Sequence, residues 1–415
     1  MMSKQLHVHL YESLIGQLEQ DKHGRISFTY DSSWLNSDGS VALSHSLPLR
    51  KESFKGKECQ GFFAGVLPEE ENRRIISTIL GVSPHNDFAL LEQIGGECAG
   101  AVTFLPKGQK LPPRAPSYQK LNDSELAEIL RELPKRPLMA GRKEVRLSLA
   151  GAQNKLAVHI DNHGQISLPL GNSPSTHILK PAIIHFEGMV QNEAFCMRLA
   201  KKSGIPTANV SSGSCEDIEF LLAERYDRRS NSDGDLERLH QEDFCQALGL
   251  PPHLKYQNEG GPSVEDCFGL IRNVSSTPAP DLLNFLDAVL LNFLIGNNDA
   301  HGKNFSFLYD RKNQKHTARL APLYDLISTR HYPDLSPRMA MKVGKKYLPK
   351  EVMSKHWLIL WEKAGFQQSA ARKHSLQFTR KIRTILSTLT AENAIQQQII
   401  EATDLQAKRF ELTAG

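Results

Sequence analysis

An aspartate and an asparagine separated by four residues lie in the segment N-D-A-H-G-K-N-F. Asp299 could orient an attacking hydroxyl and accept its proton, while Asn304 could hold a metal ion. A second carboxylate, Asp325, ends the segment A-R-L-A-P-L-Y-D. One amide and one carboxylate oxygen suit Mg²⁺, which keeps waters and substrate phosphates in its coordination shell. The spacing therefore predicts magnesium-dependent phosphoryl transfer.

Each of these residues alone has a simpler explanation. Asp and Asn are common at turns and helix ends, where their side chains bond to nearby backbone groups. The order of the surrounding segments carries more weight. An apolar helical run precedes Asp299, and two apolar runs separated by the polar turn R-K-N-Q-K follow Asn304. Such runs predict a hairpin that carries Asp325 back beside Asn304.

A lysine ends the short apolar run T-H-I-L-K-P. Burial of Lys180 is unfavourable unless its charge is paired, and the phosphates of a nucleotide would pair it. Glu193, near the start of the next predicted helix, could orient this lysine. A lysine that reaches solvent at a strand edge and a glutamate favoured near a helix N-terminus are the structural alternatives.

Two further segments could contact a nucleotide. In S-L-A-G-A-Q-N-K, residues 148–155, small side chains would let backbone N–H groups approach a phosphate. This segment has neither the GK[ST] ending of a Walker A motif nor the GxGxxG pattern. In L-L-A-E-R-Y-D-R, Tyr226 could stack on adenine at the end of a strand. Both segments also fit a plain turn and a plain strand, so alone they are weak signals.

The elements that must position these residues follow from the apolar periodicity. Short strands with one helix are predicted from about 140 to 230, and mainly helices beyond about 235. A Pro- and Lys-rich stretch from Pro106 to Tyr118 predicts a linker. The predicted elements before it are strands 5–11 and 25–30, which form an antiparallel pair, helices 69–80 and 88–94, and strand 100–106.

This layout predicts an α+β fold of the bilobal protein-kinase-like type. A β-rich N-terminal lobe, with an extra N-terminal subdomain, precedes an all-helical C-terminal lobe. A chain of 415 residues is long enough for two or three domains. The predicted domains are a β-rich N-terminal subdomain at 1–105, a linker with a helix at 106–139, a nucleotide-binding lobe at 140–245 and a helical lobe with the catalytic loop at 246–415.

Composition and charge exclude several classes of protein. A net charge of +4 is too small for a non-specific nucleic-acid binder. The six cysteines lack metal-ligand spacing and indicate reduced thiols. The N-terminus lacks a signal-peptide pattern, and the apolar stretch 282–295 is too short and too polar to span a bilayer, so a soluble cytoplasmic protein without membrane contact is predicted. A basic cluster fits a solvated helix face: Arg372, Lys373, Arg380, Lys381 and Arg383.

Taken together, these segments resemble the HipA family of kinase toxins. The resemblance covers nearly the whole chain, and its blocks occur in the family's order. In the N-terminal part it is carried by SLPL, FFAGVLPEEENRR and LLEQIGGECAGAVTFLP. In the rest of the chain it is carried by SLAGAQNKLAV, THILKP, NEAFCMRLAKKSGI, ERYDRR, LHQEDFCQALGLPPHLKYQNEGGP, IGNNDAHGKNFSFLY and LAPLYDLIS.

The resemblance implies ATP and Mg²⁺ as cofactors and gives each matching residue a role. Asp299 matches the catalytic base, Asn304 and Asp325 the metal ligands, and Lys180 the lysine on the ATP phosphates. Ser148 matches the serine that family members autophosphorylate, which expels the phosphate loop and inactivates the kinase. The other implied ATP-binding residues form the phosphate loop, the adenine hinge and the catalytic pocket: Ala150, Gly151, Ala152, Gln153, Asn154, Lys155, Glu224, Arg225, Tyr226, His301, Gly302, Lys303 and Tyr324.

The resemblance also implies partners. These are a small helix-turn-helix antitoxin, HipB, operator DNA bound through the antitoxin complex, and a protein substrate. The default substrate is an aminoacyl-tRNA synthetase, glutamyl-tRNA synthetase, whose phosphorylation would stop translation and induce persistence. The basic cluster at 372–383 could touch DNA phosphates in such an assembly.

Two other functions stay open at this point. One is a nucleotide-holding co-repressor with little turnover, and the other is a small-molecule kinase. The presence of Asp299, Asn304, Asp325 and Lys180 argues against lost chemistry. The distinct N-terminal subdomain argues against a small-molecule kinase, because this subdomain belongs to the normal architecture of the resembled family.

Overall fold

Strands dominate the first half of the chain and helices the second half in the computed structural model, which describes residues 4–109, 111, 116–142, 144–231, 235–312 and 315–414. The strands are β1 Lys4–Leu10, β2 Ser13–Gln20, β3 Ile26–Tyr30, β4 Phe54–Lys55, β5 Glu97–Cys98, β6 Val102–Pro106, β7 Ser117–Lys120, β8 Leu147–Ser148, β9 Leu156–Ile160, β10 Ile166–Leu170, β11 His177–Pro181, β12 Val210–Cys215, β13 Ile218–Glu224, β14 Arg228–Ser230, β15 Leu236–Arg238, β16 His240–Asp243, β17 Ser306–Lys312 and β18 Lys315–Leu320.

The α-helices are α1 Ser32–Leu35, α2 Lys57–Gly65, α3 Glu70–Leu80, α4 Asp87–Ile94, α5 Asp123–Glu132, α6 Met189–Lys202, α7 Phe244–Ala247, α8 Val264–Val274, α9 Pro278–Ile295, α10 Ser354–Lys363, α11 Gln368–Thr388 and α12 Ala394–Ala414. Short 3₁₀ helices lie at Pro137–Met139, Pro252–Leu254, Gln257–Glu259, Gly302–Asn304, Thr329–His331 and Pro349–Glu351.

The chain divides into two compact units. The first unit comprises residues 1–181, 213–252 and 307–318, and the second comprises 182–212, 253–306 and 319–415. The first unit holds most of the strands and the second is mainly helical. The predicted α+β class is therefore confirmed.

The first sheet of the first unit has the strand order β4-β3-β2-β1-β6. β2 lies between β1 and β3 and is antiparallel to both, so the predicted direct pairing of strands 5–11 and 25–30 is wrong. The sequence obscures β2 because the adjacent apolar residues Leu14 and Ile15, followed by Gly16, break the apolar–polar alternation of a strand. A Cβ at Gly16 would lie 2.5 Å from the Thr29 carbonyl oxygen, so only glycine fits there.

The second sheet of the first unit has the order β12-β13-β11-β9-β10-β7. β11 is central and runs antiparallel to β13 and β9. β7 occupies the end of the predicted linker, whose residues 110 and 112–115 lie outside the described part of the chain. One apolar core joins the two sheets: it contains Leu6 and Phe28 from the first sheet and Val158 and Leu179 from the second.

A buried carboxyl group ties a loop of residues 43–47 to β16 and β17 within the first unit. Glu242 is fully buried and accepts hydrogen bonds from the Ser44 hydroxyl, the Tyr309 hydroxyl and the His45 N–H, the last at 2.9 Å. Burial raises the pKa of Glu242 to about 7, although these hydrogen bonds act to lower it. β16 pairs with β17, and β17 with β18, in a third sheet.

The second unit is organised around α9. Pro278 occupies the first turn, where its missing N–H has no cost, and Gly296 ends the helix in the left-handed region. By length and composition α9 could span a membrane, but 61% of it is buried, as in the core helix of a globular domain. Phe285 packs edge-on against Phe268 of α8, and Phe293 packs edge-on against Trp357 of α10.

Candidate active site

The loop that carries Asp299 starts from a relay of buried amides at the end of α9. The Asn292 side chain donates to the Ala288 carbonyl at 2.9 Å, and the Asn297 side chain donates to the Asn292 side-chain oxygen at 2.8 Å. The Asn297 side-chain oxygen then accepts from the Asp299 N–H at 3.2 Å. The helix end therefore fixes the backbone of Asp299.

Hydrogen bonds from two other segments hold the same loop. The Asn298 N–H donates to the Thr329 hydroxyl at 2.8 Å, and that hydroxyl donates to the Gly296 carbonyl at 3.1 Å. The Asn298 carbonyl accepts from the Ala340 N–H at 2.7 Å. The residue immediately before Asp299 is thus bonded on both sides.

A hydrogen bond between Tyr324 and Lys303 joins the two segments that carry the candidate metal ligands. The Tyr324 hydroxyl donates to the Lys303 carbonyl at 2.7 Å and lies 2.7 Å from the Ser306 hydroxyl. Asn304 follows Lys303 and Asp325 follows Tyr324, so the chain returns to the catalytic loop as the predicted hairpin requires. Residues 313–314, in the predicted hairpin turn, lie outside the described part of the chain.

The backbone of Asp325 is itself unusual. Its φ is +54°, in the left-handed region that non-glycine residues rarely adopt. Such conformations persist where the surrounding structure enforces them, and they are common at functional sites. Among the described residues no three His, Cys, Asp or Glu side chains cluster as a metal site. An amide and a carboxylate are the donor set that fits Mg²⁺ completed by phosphates and waters.

Helix α6 fixes the segment that follows Asp325. The side chain of Asn192 is fully buried, donates to the Ser328 carbonyl at 3.1 Å and accepts from the Ser328 N–H at 2.8 Å. Glu193 is the next residue on α6 and is 4% exposed. Its predicted pairing with Lys180 stays a prediction.

Ser148 lies in the first unit, at the start of the phosphate loop. It belongs to β8, where it pairs with Cys98 of β5 in parallel register. Its side chain is fully buried, and its hydroxyl donates to the Val66 carbonyl at 3.0 Å. A kinase active site cannot reach this hydroxyl unless the loop leaves its place.

The phosphate loop is held by the start of helix α3. The Gly151 N–H donates to the Glu69 carboxylate at 3.1 Å, and the Asn72 side chain donates to the Ala152 carbonyl at 2.8 Å. In this conformation the Gly151 N–H therefore faces a carboxylate. Gly151 has a φ of +103°, a backbone conformation that other residues rarely adopt, so glycine is favoured there.

Two buried lysines occupy neighbouring positions on adjacent strands. Leu179 of β11 pairs with Leu156 of β9 in antiparallel register. Lys180 follows Leu179 and Lys155 precedes Leu156, so the two lysines lie opposite each other. Lys180 is 6% exposed and Lys155 is 9% exposed. The Lys155 amino group donates to the Ala150 carbonyl at 2.6 Å. The contact of both lysines with nucleotide phosphates stays a prediction.

The predicted adenine hinge begins where β13 ends. Glu224 is exposed there, and the Tyr226 hydroxyl donates to the Gln241 side-chain oxygen. Arg225 is different, because its guanidinium is buried in an ion cluster where it contacts Asp227 at 2.8 Å and Glu97 at 3.1 Å. These contacts give the Arg225 side chain a structural role, and the predicted place of Arg225 in the ATP site stays a prediction.

The ion cluster around Arg225 is a structural centre of the first unit. Glu97 also accepts from Arg228 at 2.7 Å and from Arg238 at 2.9 Å. Burial alone would raise the pKa of Glu97, but the three guanidinium groups hold it below its usual range. Glu97 thus stays charged, and removal of any one arginine would leave less compensation for its buried charge.

Several residues that support the loop of Asp299 belong to no predicted catalytic motif. Asn192, Asn297 and Thr329 lie in elements whose apolar patterning gives no sign of a polar network. Tyr256 is also among them, and its hydroxyl donates to the Asp299 carboxylate at 2.7 Å. Apart from the family resemblance, the signal in its segment, K-Y-Q-N-E-G-G-P, is the pair of glycines before a proline, which predicts a tight turn but not the residue that the turn contacts.

The β-rich first unit and the helical second unit, with Asp299, Asn304 and Asp325 on adjoining loops, define a protein of the α+β kinase-like class. Comparisons with known proteins agree. The model of the HipA N-terminal domain matches residues 6–105, and that of the HipA-like C-terminal domain matches residues 147–391. The chain therefore belongs to the HipA family.

Individual relatives cover most of the chain. A putative kinase of Sinorhizobium fredii, Y4mE, is 46% identical over 94% of this chain and 91% of its own length. The serine/threonine-protein kinase toxin HipA of Shewanella oneidensis is 30% identical over 91% of this chain and 87% of its own length. The solved Shewanella oneidensis complex of HipA, HipB and operator DNA contains a chain that matches with a TM-score of 0.84 and 27% identity, covering 99% of this chain and 98% of that one.

Proposed function

We propose that this protein is an ATP- and Mg²⁺-dependent serine/threonine protein kinase and the toxin of a type II toxin–antitoxin pair. The observation that carries the proposal is the geometry around the catalytic loop. The backbone of Asp299 is fixed by the end of α9, and the Tyr324 contact places the segments of Asn304 and Asp325 together. A base and two hard oxygen ligands on fixed loops are what phosphoryl transfer requires of a protein.

The residues have the following roles in this proposal. Asp299 orients the hydroxyl of the protein substrate and accepts its proton as the oxygen attacks the γ-phosphorus. Asn304 and Asp325 would hold Mg²⁺, which neutralises charge on the phosphates when it is bound. Lys180 and Lys155 pair with the phosphates of ATP. The hinge at Glu224 and Tyr226 and the pocket residues His301, Gly302 and Lys303 complete the proposed nucleotide site.

We also propose that the protein phosphorylates its own Ser148. The buried Ser148 hydroxyl donates to a carbonyl, and a phosphate, which carries about −1.5 to −2 charges, could not make that bond. Phosphorylation would therefore keep the loop out of its present place. The loop carries Gly151 and Lys155, so its exit would remove part of the proposed nucleotide site and inactivate the kinase.

The proposed partners are a HipB-like antitoxin and, through it, operator DNA, in keeping with the complex reported for the Shewanella oneidensis protein. The default substrate is an aminoacyl-tRNA synthetase in the cytoplasm. Two arginines of the basic cluster on α11 already pair with acidic side chains of this chain, which leaves less positive charge for direct contact with DNA. Arg383 pairs with Asp404 at 2.9 Å and with Glu411 at 2.7 Å, and Arg380 approaches Glu411 at 3.7 Å.

The test is to incubate the purified, unphosphorylated chain with labelled ATP and Mg²⁺ and to map any phosphate by mass spectrometry. Asp299→Ala should abolish labelling, and Ser148→Ala should remove the self-phosphorylation while leaving nucleotide binding intact. A folded wild-type chain that binds ATP but transfers no phosphate would contradict the kinase proposal. That result would favour a nucleotide-holding co-repressor.

A further inference from the structure

A tyrosine with no predicted role in the site contacts the proposed catalytic base. The Tyr256 hydroxyl donates to one carboxylate oxygen of Asp299 at 2.7 Å. The Tyr256 ring also meets the ring of His301 edge-on, with centroids 5.2 Å apart and an interplanar angle of 82°. Tyr256 therefore touches the catalytic loop at both its base and a pocket residue.

The segment that presents Tyr256 is specified by two glycines. The Gly261 N–H donates to the Tyr256 carbonyl at 2.9 Å and closes a tight turn. A Cβ at Gly261 would lie 2.4 Å from the Leu254 carbonyl oxygen, so no other residue fits without a shift of the backbone. Gly260 has a φ of +102°, in the left-handed region. The run N-E-G-G-P thus encodes a turn that wraps closely around residues 254–256.

This turn is bonded to the catalytic loop through a shared residue. The Ala340 N–H donates to the Asn298 carbonyl at 2.7 Å, and the Ala340 carbonyl accepts from the Gln257 N–H at 3.1 Å. The Gln257 side chain also accepts from the Lys342 N–H at 2.8 Å. Ala340 thus links the residue before Asp299 to the residue after Tyr256. The backbone segments that carry Tyr256 and Asp299 are therefore held relative to each other by hydrogen bonds to the same residue.

We propose that Tyr256 is a positioning residue that holds the Asp299 carboxylate in the orientation needed to accept the proton of the substrate hydroxyl. The inference rests on the proposed kinase function. An aspartate side chain exposed to solvent can adopt several staggered rotamers, and a bond from a fixed phenol selects one of them. Small errors in the placement of a catalytic group can reduce the rate by orders of magnitude. Tyr256 itself neither gives up nor takes a proton in the reaction.

The test compares wild type, Tyr256→Phe and Tyr347→Phe in the full chain. Tyr347→Phe is the matched control, because Tyr347 is also a tyrosine of the second unit and its ring packs on Arg338. The initial rate of Ser148 labelling is measured against ATP concentration in Mg²⁺ buffer. Binding of a fluorescent non-hydrolysable ATP analogue and the unfolding temperature are measured in parallel.

We expect Tyr256→Phe to lower the maximal labelling rate about tenfold or more, with unchanged half-saturating ATP, analogue affinity and unfolding temperature. The control should match wild type in all four quantities. A wild-type rate in Tyr256→Phe would overturn the assignment while leaving the kinase proposal intact. A slower rate accompanied by weaker nucleotide binding or a lower unfolding temperature would give Tyr256 a purely structural role. Absence of labelling in the wild type would remove the kinase proposal and this assignment together.

Discussion

At the scale of single residues, position 325 must meet two requirements: it must adopt a left-handed backbone conformation, and its side chain must be able to bind a metal ion. The backbone has a φ of +54°, which costs about 1 kcal/mol for most residues but less for Asp and Asn, whose short polar side chains tolerate it. The side chain must also offer a charged oxygen if it is a Mg²⁺ ligand. Asn meets the first demand and not the second, whereas Ala meets neither.

Asp325→Asn should therefore fold as stably as wild type and lose magnesium-dependent nucleotide affinity. Asp325→Ala should lose that affinity and also about 1 kcal/mol of stability, because its backbone is strained. Titration of ATP with and without Mg²⁺, combined with urea unfolding, distinguishes the two variants. Retention of full Mg²⁺ dependence in both would remove Asp325 from the metal site.

A second residue-scale prediction concerns Glu242. Burial raises its pKa to about 7, above the value of 4.5 expected in the unfolded chain. A carboxyl group whose pKa is raised on folding contributes stability that is fully present below the unfolded value and is lost as the pH rises through the folded value. The stability of wild type relative to Glu242→Gln should therefore fall between about pH 4.5 and pH 7, by at most about 3 kcal/mol.

Urea unfolding of both proteins at pH 5 and at pH 8 measures this difference. Glu71→Gln, on the exposed face of α3, serves as a surface control in which the changed group pairs with the exposed Arg74. If the difference between wild type and Glu242→Gln is the same at both pH values, the Glu242 carboxyl does not titrate as its burial requires.

At the scale of elements, the sequence predicted those elements whose patterns are long and bounded. α9 could be predicted because its apolar run begins near Pro278 and ends at Gly296. β2 could not, because Leu14, Ile15 and Gly16 break the apolar–polar alternation by which a strand is recognised. Tyr256 and Asp299 are 43 residues apart in the chain, and no local pattern predicts their contact. Local motifs were therefore enough to propose the ligands of the candidate site, which stay predictions, but not the hydrogen-bond network that supports their loops.

Helix α3 gives a prediction at the same scale. Its Asn72 side chain holds the Ala152 carbonyl of the phosphate loop, and the loop must leave before Ser148 can be phosphorylated. Asn72→Ala should therefore speed self-phosphorylation of Ser148 several-fold, because a net hydrogen bond contributes about 1 kcal/mol. Arg74→Ala is the control, since Arg74 lies on the exposed face of α3. An unchanged labelling rate in Asn72→Ala would mean that this contact does not limit loop exit.

At the scale of the whole molecule, the continuous apolar core of the first unit matters most. Leu6, Phe28 and Phe63 share one cluster with Leu147 and Leu149, which directly flank Ser148. The residues matched by the HipA N-terminal domain therefore complete the core on which the phosphate loop rests. The predicted domain boundary at 105 marks a change of family model, and the apolar contacts continue across it.

Deletion of residues 1–105 should consequently leave a chain that is insoluble or that unfolds without a cooperative transition. The deletion would expose Leu147, Leu149 and their neighbours, and each large apolar side chain returned to water costs about 1.5 to 3 kcal/mol. Circular dichroism during thermal unfolding, with the full chain as reference, tests this expectation. A truncated chain with a sharp transition near that of the full protein would show that the two parts fold independently.

The buried position of Ser148 has a consequence for time. If the kinase phosphorylates itself, each molecule stays active only until its phosphate loop first opens long enough for the hydroxyl to react. The hydrogen bonds that Val66, Glu69 and Asn72 make to this loop oppose its opening. They would therefore lengthen the time for which each enzyme molecule stays active. That lifetime would depend on temperature through the opening of the loop as well as through the chemistry of transfer, so warming would shorten the period for which one molecule is active.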